Sequence, residues 1–554
     1  MHAGSLQKNT YLIFSILALC SGLVSCGTDG KEPEGTPQAP HPEDPNWYRS
    51  AVFYEIFPRS FRDTNGDGIG DLKGIQEGLP YLADLGIGAL WLTPIYPTPF
   101  HDSGYDVADY VSVNPDYGTM KDLEDLVESA HRHKIRVILD MVFNHTSDQH
   151  PWFQASRSSR DNTRRDWYVW ADPPFPYDCY NPLNFQFGRE RWTLDPGTGQ
   201  YYFHNFRPQM PELNFLTPEV RDALLDVASF WLEKGVDGFR LDVAHMYYEG
   251  LEGCAHLPET HAFLQDFRRL TDQYPCKTMV GEVSGLSNEV LAYLGRGEDE
   301  LHMIFNFPLV YMTYPALWLG DARWIVQGLK DTYCRIPKGG QMATLLGNHD
   351  FFRIDATLPG DPRRLKLAAL VLLTFPGTPF MYYGDEIGMA NGTTFVLDYR
   401  DAARTPMHWD MSPGAGFTSG TPWIPLSPNW STHNVALEKS DEDSLLNYYR
   451  MLIHLRNVTP ALREGEATIL DARRENPYLL LRGTGRGSVL VLLNLKAYAI
   501  DGTIDLTSLP WSEGLVCDIL TGDAVAPLTE EDRREYPYAL EAYQGLLLQP
   551  CDGQ

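Results

Sequence analysis

Five short segments of this 554-residue chain end in side chains able to carry, accept or steer a proton. They read Asp102-Ser-Gly-Tyr105-Asp106, Asp140-Met-Val-Phe-Asn144-His145, Gly238-Phe-Arg240-Leu-Asp242-Val243-Ala-His245, Val280-Gly281-Glu282 and Gly347-Asn348-His349-Asp350. Carboxylates gathered in one place can divide acid–base and nucleophilic work between them, and imidazoles can hydrogen-bond a polar substrate. Alone, each residue would read as a solvated loop charge or a buried structural group. Five such clusters at the ends of successive apolar runs read as one catalytic rim.

The elements that must position them follow from the apolar pattern. Strands are expected at 52–57, 89–93, 137–142, 238–241, 279–283, 303–307, 342–346 and 379–382, with amphipathic helices such as 121–133 and 218–234 between. Strands alternating with helices eight times define an α/β fold, the (β/α)8 TIM barrel, whose active face lies at the C-terminal strand ends. Asp242 and Glu282 are 40 residues apart, one βα unit; Glu282 and Asp350 are 68 apart, two units. Arg240 precedes Asp242 by two positions on one strand, so both face the same way and the guanidinium should keep Asp242 ionised. The barrel is expected to use residues 47–146 and 217–462. Residues 147–216, rich in Trp, Tyr, Pro and Asp, are too long for a simple loop and read as an inserted subdomain after the third strand. From 463 to 554 the pattern turns to short runs at 467–470, 478–482, 488–493 and 545–549, a small C-terminal antiparallel β domain.

The blocks GYDVADY, DMVFNH, GFRLDVAH, GEV, GNHD and GTPFMYYGDEIG, in this order, resemble the α-amylase family of glycoside hydrolases, over about residue 47 to the end. The resemblance implies a retaining enzyme that cleaves α-glucosidic bonds through a glycosyl-enzyme intermediate. It makes Asp242 the nucleophile, Glu282 the acid/base and Asp350 the third acid, which holds ring hydroxyls. His145 and His349 would bond the same ring, Asp106 its far hydroxyls, and Tyr105 would be the stacking platform. Arg404 lies in a segment, RTPMHW, similar to one in exo-acting α-glucosidases, where an arginine closes the non-reducing end of the pocket; Arg400 competes for that role.

Near the first strand, Asp63, Asn65, Asp67, the Ile69 carbonyl and Asp71 place oxygens at alternate positions around a glycine. This follows the first half of a calcium-binding EF-hand loop and lacks its twelfth-position Glu. The α-glucosidase-like members carry calcium in a similar loop, so a structural calcium is expected. The competing reading is a surface loop of Asx turns without metal. No organic cofactor is suggested.

Residues 11–24 form an apolar run too short to cross a bilayer, which reads as the core of a signal peptide spanning 1–26. The run ends in Leu23-Val24-Ser25-Cys26, resembling a bacterial lipoprotein cleavage box in which Cys26 is acylated. Residues 27–46, rich in Pro, Glu and Gly, form a disordered tether. The expected location is therefore exported and lipid-anchored to a bacterial membrane. Six further cysteines (179, 254, 276, 334, 517, 551) fit no zinc pattern, and their pairing is open. A net charge of −28 from 45 basic and 73 acidic residues excludes a nucleic-acid partner.

The expected substrate is a short α-glucan oligosaccharide. Gln209-Met210-Pro211-Glu212-Leu213-Asn214 fits neither the oligo-1,6-glucosidase nor the neopullulanase pattern, while Val243 resembles α-1,6-active members. Segments 148–153 and 165–170 also look like trehalose synthase, an isomerising transferase that is the alternative reading. A non-catalytic glycan-binding barrel is disfavoured because all three acids are present.

Overall fold

The computed structural model describes residues 24–25, 44–172, 174, 190–250, 253–359, 361–470 and 477–551. Eight parallel strands close into a barrel: β1 Phe53–Ile56, β2 Ala89–Leu92, β3 Arg136–Met141, β4 Gly238–Leu241, β5 Thr278–Gly281, β6 Met303–Phe305, β7 Gln341–Leu345 and β8 Thr378–Tyr382. The circle closes where β8 sets Phe380 opposite Phe53 of β1. All eight lie where the apolar pattern placed them, with ends displaced by no more than two residues.

Strand alternation stacks the barrel interior in layers. Phe53, Trp91, Ile138, Val280, Phe305, Ala343 and Phe380 form the apolar plug, with Phe53 stacked on Phe380 at 4.2 Å. Two residues further along their strands come Glu55, Asp140 and Glu282, so the next layer up is ionic. Arg240 of β4 points inward at the same level, because its neighbours Phe239 and Leu241 belong to the outer core under the helices.

The helices between the strands start on built caps. Asp71 accepts from the Gly74 amide at 2.7 Å to open Leu72–Leu85, and Thr119 forms a capping box with Asp122 to open Met120–Arg132. After β3 the chain forms a three-stranded antiparallel sheet from Trp170–Ala171, Gln200–Phe203 and Trp192–Asp195. Bridges His145↔Glu212 and Tyr168↔Leu213 stitch this region to the barrel rim.

Past the barrel lies an antiparallel sheet ordered Val24–Ser25, Ala467–Ile469, Tyr478–Arg482, Val489–Leu493, Gly545–Pro550, Gly514–Asp518 and Ala524–Leu528, with a separate pair Ile500–Ile504 and Tyr536–Leu540. Five of these strands, those beginning at 24, 500, 514, 524 and 536, were not anticipated; Val24–Ser25, read as the end of the leader, pairs with Thr468 and Ile469. Buried Arg482 clamps the sheet to the barrel by donating to the carbonyls of Phe375 (2.8 Å), Leu462 (3.1 Å) and Gly465 (2.9 Å). Cys517 and Cys551 form a disulfide, Cys254 and Cys334 are also disulfide-bonded, and Cys276 is free. Cys20, Cys26 and Cys179 lie outside the described residues, as do nearly all of the leader and tether. Among the described residues no helix is long and apolar enough to cross a membrane.

Candidate active site

Arg240 is the hub of the rim. Fully buried, it donates from Nη1 to Asp140 at 2.8 Å and to Asp242 at 2.8 Å, and from Nη2 to Glu282. One guanidinium therefore spans three carboxylates from three strands. The Val243 amide reaches the same Glu282 oxygen at 3.2 Å. It does so because Val243 holds φ at 35°, a backbone region that β-branched residues avoid. Such strain is worth about 1–3 kcal/mol and persists where surroundings enforce it.

Asp350 has its own cations. Arg400 and Arg404 each donate to its Oδ1 at 3.0 Å, and His349 Nε2 lies 3.3 Å from its Oδ2. Burial alone would raise the Asp350 pKa. The His349 imidazole and the guanidiniums of Arg400, Arg404 and Arg240 outweigh it and hold the carboxyl well below its usual range.

Asp242 has the opposite balance. Burial pushes it well above the ordinary carboxylate range, Arg240 opposes that, and Glu282, Asp140 and Asp350 add to the rise. Asp140 is pushed up to about 6, again by burial against Arg240. His145 is driven down to about 4 by burial and is neutral, its Nε2 lying 3.1 Å from the Tyr105 carbonyl.

These groups surround a pocket lined by Asp102, Tyr105, His145, Phe206, Met210, Asp242, Val243, Glu282, Asp350 and Arg400. Tyr105 stacks on His349 at 5.1 Å and 9°, and its hydroxyl donates to Asp140 at 2.9 Å. His349 and Arg404 do not reach the wall. His349 sits behind it, 2.6 Å from Glu55 through Nδ1. Arg404, wholly buried, donates to the His349 carbonyl and to Ser103 at 2.9 Å each, and so supports the wall from behind. Asp106 is also absent from the lining: its oxygens accept from Thr98 (2.7 Å) and from the amides of His101 (2.8 Å) and Asp102 (3.0 Å). Asp102 takes the place on the wall given to Asp106, and Arg400 the one given to Arg404. Positive φ at Ser103 (54°) and Gly104 (110°) turns the loop there, a feature that residue spacing does not reveal. Arg400 pairs with Asp102, Asp350 and Asp398, and Arg207 reaches Asp398 at 2.9 Å.

The pocket opens into a wider, mainly apolar vestibule that shares Phe206, Val243, Glu282 and Asp350 with it. Glu282 and Asp350 thus stand at the junction between a polar chamber and an apolar entrance.

The loop expected to hold calcium is folded on itself. Asp63 accepts from the amides of Asn65, Gly66 and Gly68 at 2.9, 2.7 and 2.8 Å and from the Thr418 hydroxyl at 2.5 Å. Asp67 accepts from Ile69, Asn65 accepts from Asp67, and Asp71 is engaged as a helix cap and by Thr64. Among the described residues no group of three or more His, Cys, Asp or Glu side chains could hold a metal ion.

The closed barrel and the carboxylates gathered at its rim define a barrel enzyme equipped for acid–base and nucleophilic chemistry. Residues 55–465 match the model of the alpha amylase catalytic domain. The chain is 37% identical to a probable alpha-glucosidase of Rhizobium meliloti (strain 1021), over 87% of this chain and 96% of that protein. It is 38% identical to the trehalose synthase/amylase TreS of Mycolicibacterium smegmatis (strain ATCC 700084 / mc(2)155), covering 79% and 80%. Among solved structures, the alpha-glucosyl transfer enzyme XgtA superposes with a TM-score of 0.80 at 31% identity, covering 91% of this chain and 99% of that one. The chain belongs to the alpha-amylase family and is a glycoside hydrolase.

Proposed function

We propose that the protein is a retaining α-glucosidase that releases terminal glucose from short α-glucans. The carrying observation is the single Arg240 guanidinium bonded to both Asp242 and Glu282. It keeps the two carboxyls close, as a double displacement needs; an inverting site holds them about 6.5–9.5 Å apart to admit water. Asp242 attacks the anomeric carbon while Glu282 protonates the leaving oxygen at the chamber mouth. Glu282, now ionised, then takes a proton from the incoming water. Asp350 stays ionised beside its cations and steadies the positive ring. The far end of the chamber is shut by Arg400 paired with Asp102, which favours one terminal sugar over a chain passing through. A product profile on maltose, isomaltose, trehalose, maltoheptaose and starch tests this. Glucose should appear first and as the α-anomer; initial β-glucose, or maltoheptaose cut internally into oligosaccharides without glucose release, would refute it.

The second reading, conversion of maltose to trehalose, draws on the likeness to the trehalose synthase/amylase and on segments 148–153 and 165–170. Trehalose accumulating from maltose in place of glucose selects it.

Two variants test the closed end. Asp102→Ala and Arg400→Ala each remove charge-assisted contacts worth about 1.5–3 kcal/mol. Each should raise KM for maltose by about tenfold or more; an unchanged KM places the sugar elsewhere.

The pH profile follows from Asp242. The nucleophile acts only when ionised, and burial raises its pKa. Activity is therefore present above that raised value and lost as pH falls through it. The acid limb of kcat/KM should lie above that of a solvated Asp, which is at about 3.9. A limb near 4 in a pH–rate titration would contradict the assignment.

A structural calcium in loop 63–71 rests on donor spacing: Asp63, Asn65, Asp67, Asp71 and the Ile69 carbonyl are all oxygen ligands suited to a hard cation. It supplies no step of the chemistry. If it is bound, a chelator should lower the melting temperature by roughly 5–10 °C, since a cation at a hundred times its Kd contributes about 2.7 kcal/mol and each kcal/mol moves a large domain about 2–4 °C. No shift in calorimetry refutes the site. Export and acylation at Cys26 are proposed from the leader sequence; labelled fatty acid on the mature chain supports them, and a mature start elsewhere refutes them.

A further inference from the structure

We infer that the charge-free helix Phe307–Leu319 and the turn after it form a face that lies against a lipid bilayer and seats the tethered enzyme there. The inference rests on the proposed anchor at Cys26 and names the surface that such an anchor brings to the membrane.

From Asn306 to Gly320 no residue is charged, where a stretch of that length in a chain that is 21% charged would carry about three. The inner side of the helix is accounted for, with Phe307, Leu309, Val310, Thr313, Ala316 and Leu317 buried. The outer side is apolar as well, and wet. Trp318 is 55% and Leu319 63% exposed, and Trp324, in the next helix Arg323–Asp331, is 38% exposed. A helix that is apolar all round is one that something covers. The C-terminal domain extends the face with exposed Tyr498: a Cβ on Gly320 would come within 3.3 Å of Lys496 Cα, and the Lys496 ammonium lies 5.4 Å over the Tyr498 ring. Tyr311, the other exposed ring of the helix, lines the vestibule and is not part of this face.

Charge and chain length select lipid as the cover. The helix has 13 residues, too few to span a bilayer, and Trp, Leu and Tyr are the side chains that settle where headgroups meet acyl chains. The rim is cationic in a chain of net charge −28. Arg364 lies 5.9 Å over Trp318 and spends its hydrogen bonds on the Tyr543 hydroxyl, at 2.8 Å, and the Pro359 carbonyl. Lys496 joins that rim, its carbonyl accepting from the Tyr543 amide at 3.1 Å. Arg323 and Arg363, sequence neighbours of Trp324 and Arg364, are paired with Asp321 and Asp361 at 2.7 Å each. Lipid phosphates therefore complement Arg364 and Lys496. The reach of the chain agrees. Cys26 and Asp44 are separated by at most about 60 Å of extended backbone. Just beyond Asp44 the chain joins this same sector of the barrel: Arg49 reaches Gln341, the first residue of β7, at 3.4 Å, and the two helices lead into that strand. A glucan fits less well, because Leu319, the most exposed of the group, offers a sugar hydroxyl no partner.

The experiment footprints the full-length chain and its Cys26→Ser variant with hydroxyl radicals, with and without vesicles of phosphatidylcholine containing about a quarter phosphatidylglycerol. Oxidised side chains are read by mass spectrometry. On vesicles, oxidation of Trp318, Leu319, Trp324 and Tyr498 should fall by about fivefold or more. Phe395 and Met411, exposed elsewhere on the surface, should be oxidised as before. Trp318→Ala combined with Leu319→Ser should abolish the protection of Trp324 and Tyr498 and keep wild-type turnover of maltose, which shows the barrel intact. A face still open in the vesicle-bound protein, or a chain left in the supernatant, overturns the inference. So does protection without vesicles that grows with protein concentration, which means a second copy, or that maltoheptaose alone confers, which means a glucan. Protection in the Cys26→Ser variant, with no fatty acid found on the wild-type chain, removes the anchor and upholds the face.

Discussion

Replacing Asp242 by Asn should lower turnover by roughly 10^4–10^6-fold, the scale seen when a covalent nucleophile is removed. Glu282→Gln should cost about 10^2–10^4, since general acid–base assistance alone is lost. Each decade is about 1.36 kcal/mol of barrier. Neither change should unfold the chain. Asp242 is buried among Glu282, Asp140 and Asp350, which push its pKa up, so its charge costs the native state energy. An uncharged Asn of the same size relieves that cost, and the variant should melt at or above the wild-type temperature. Small anions separate the two roles. With Asp242→Ala, azide can enter the vacated space and attack the anomeric carbon once, giving the β-azide. With Glu282→Ala, azide intercepts the glycosyl-enzyme from the opposite face and gives the α-azide. The same anomer from both variants, or wild-type turnover in either, would remove the double-displacement assignment.

The barrel was legible because its signal is repeated. Eight apolar runs at βα spacing reinforce one another, and the inward parity of each strand places Asp140, Arg240 and Glu282 on the same rim. The strands that escaped notice lie in the C-terminal sheets and the insert. Ile500–Ile504 reads Ile-Asp-Gly-Thr-Ile with three consecutive exposed residues, and Ala524–Leu528 contains a proline. Such edge segments bury little, so tertiary pairing makes them strands and local pattern does not.

The site was legible by type and less so by orientation. Asp242 and Glu282 directly follow strand ends, where direction is set by the pleat, whereas Asp350 lies in the turn five residues past Leu345. Asp102 and Asp106 sit four apart in a loop, and the turn at Ser103 and Gly104 decides which of them faces the chamber. Arg400 and Arg404 lie in the segment Tyr399–Ala403 and its cap, and both reach Asp350 Oδ1, but only Arg400 lines the pocket. Glu55 gave no sequence signal, although it braces His349 at 2.6 Å, because an acid inside a strand reads as an exception to the apolar run.

Replacing Arg240 by Met should be the most damaging single change to stability at the rim. The side chain keeps its length and loses the one cation that touches Asp140, Asp242 and Glu282. Breaking a buried pair by removing one partner costs about 3–5 kcal/mol, because the charge left behind has neither water nor counter-ion. Here three carboxylates are left, and each can escape the cost only by taking up a proton. The loss must therefore depend on pH. Asp140 already titrates at about 6 with Arg240 present, and without it the folded value rises further. A group whose folded pKa is raised is most favourable to the native state below its unfolded value, and loses that advantage as pH rises through the folded value. The deficit of Arg240→Met should thus be smaller near pH 5 and grow as pH rises past about 6, where Asp140 ionises while Arg240 is present. Arg240→Lys, which keeps the charge without the fork, should fall between them. Denaturant unfolding of the three proteins at pH 5 and pH 8 measures it. A deficit of equal size at both pH values would mean that packing, and not the uncompensated acids, makes Arg240 necessary.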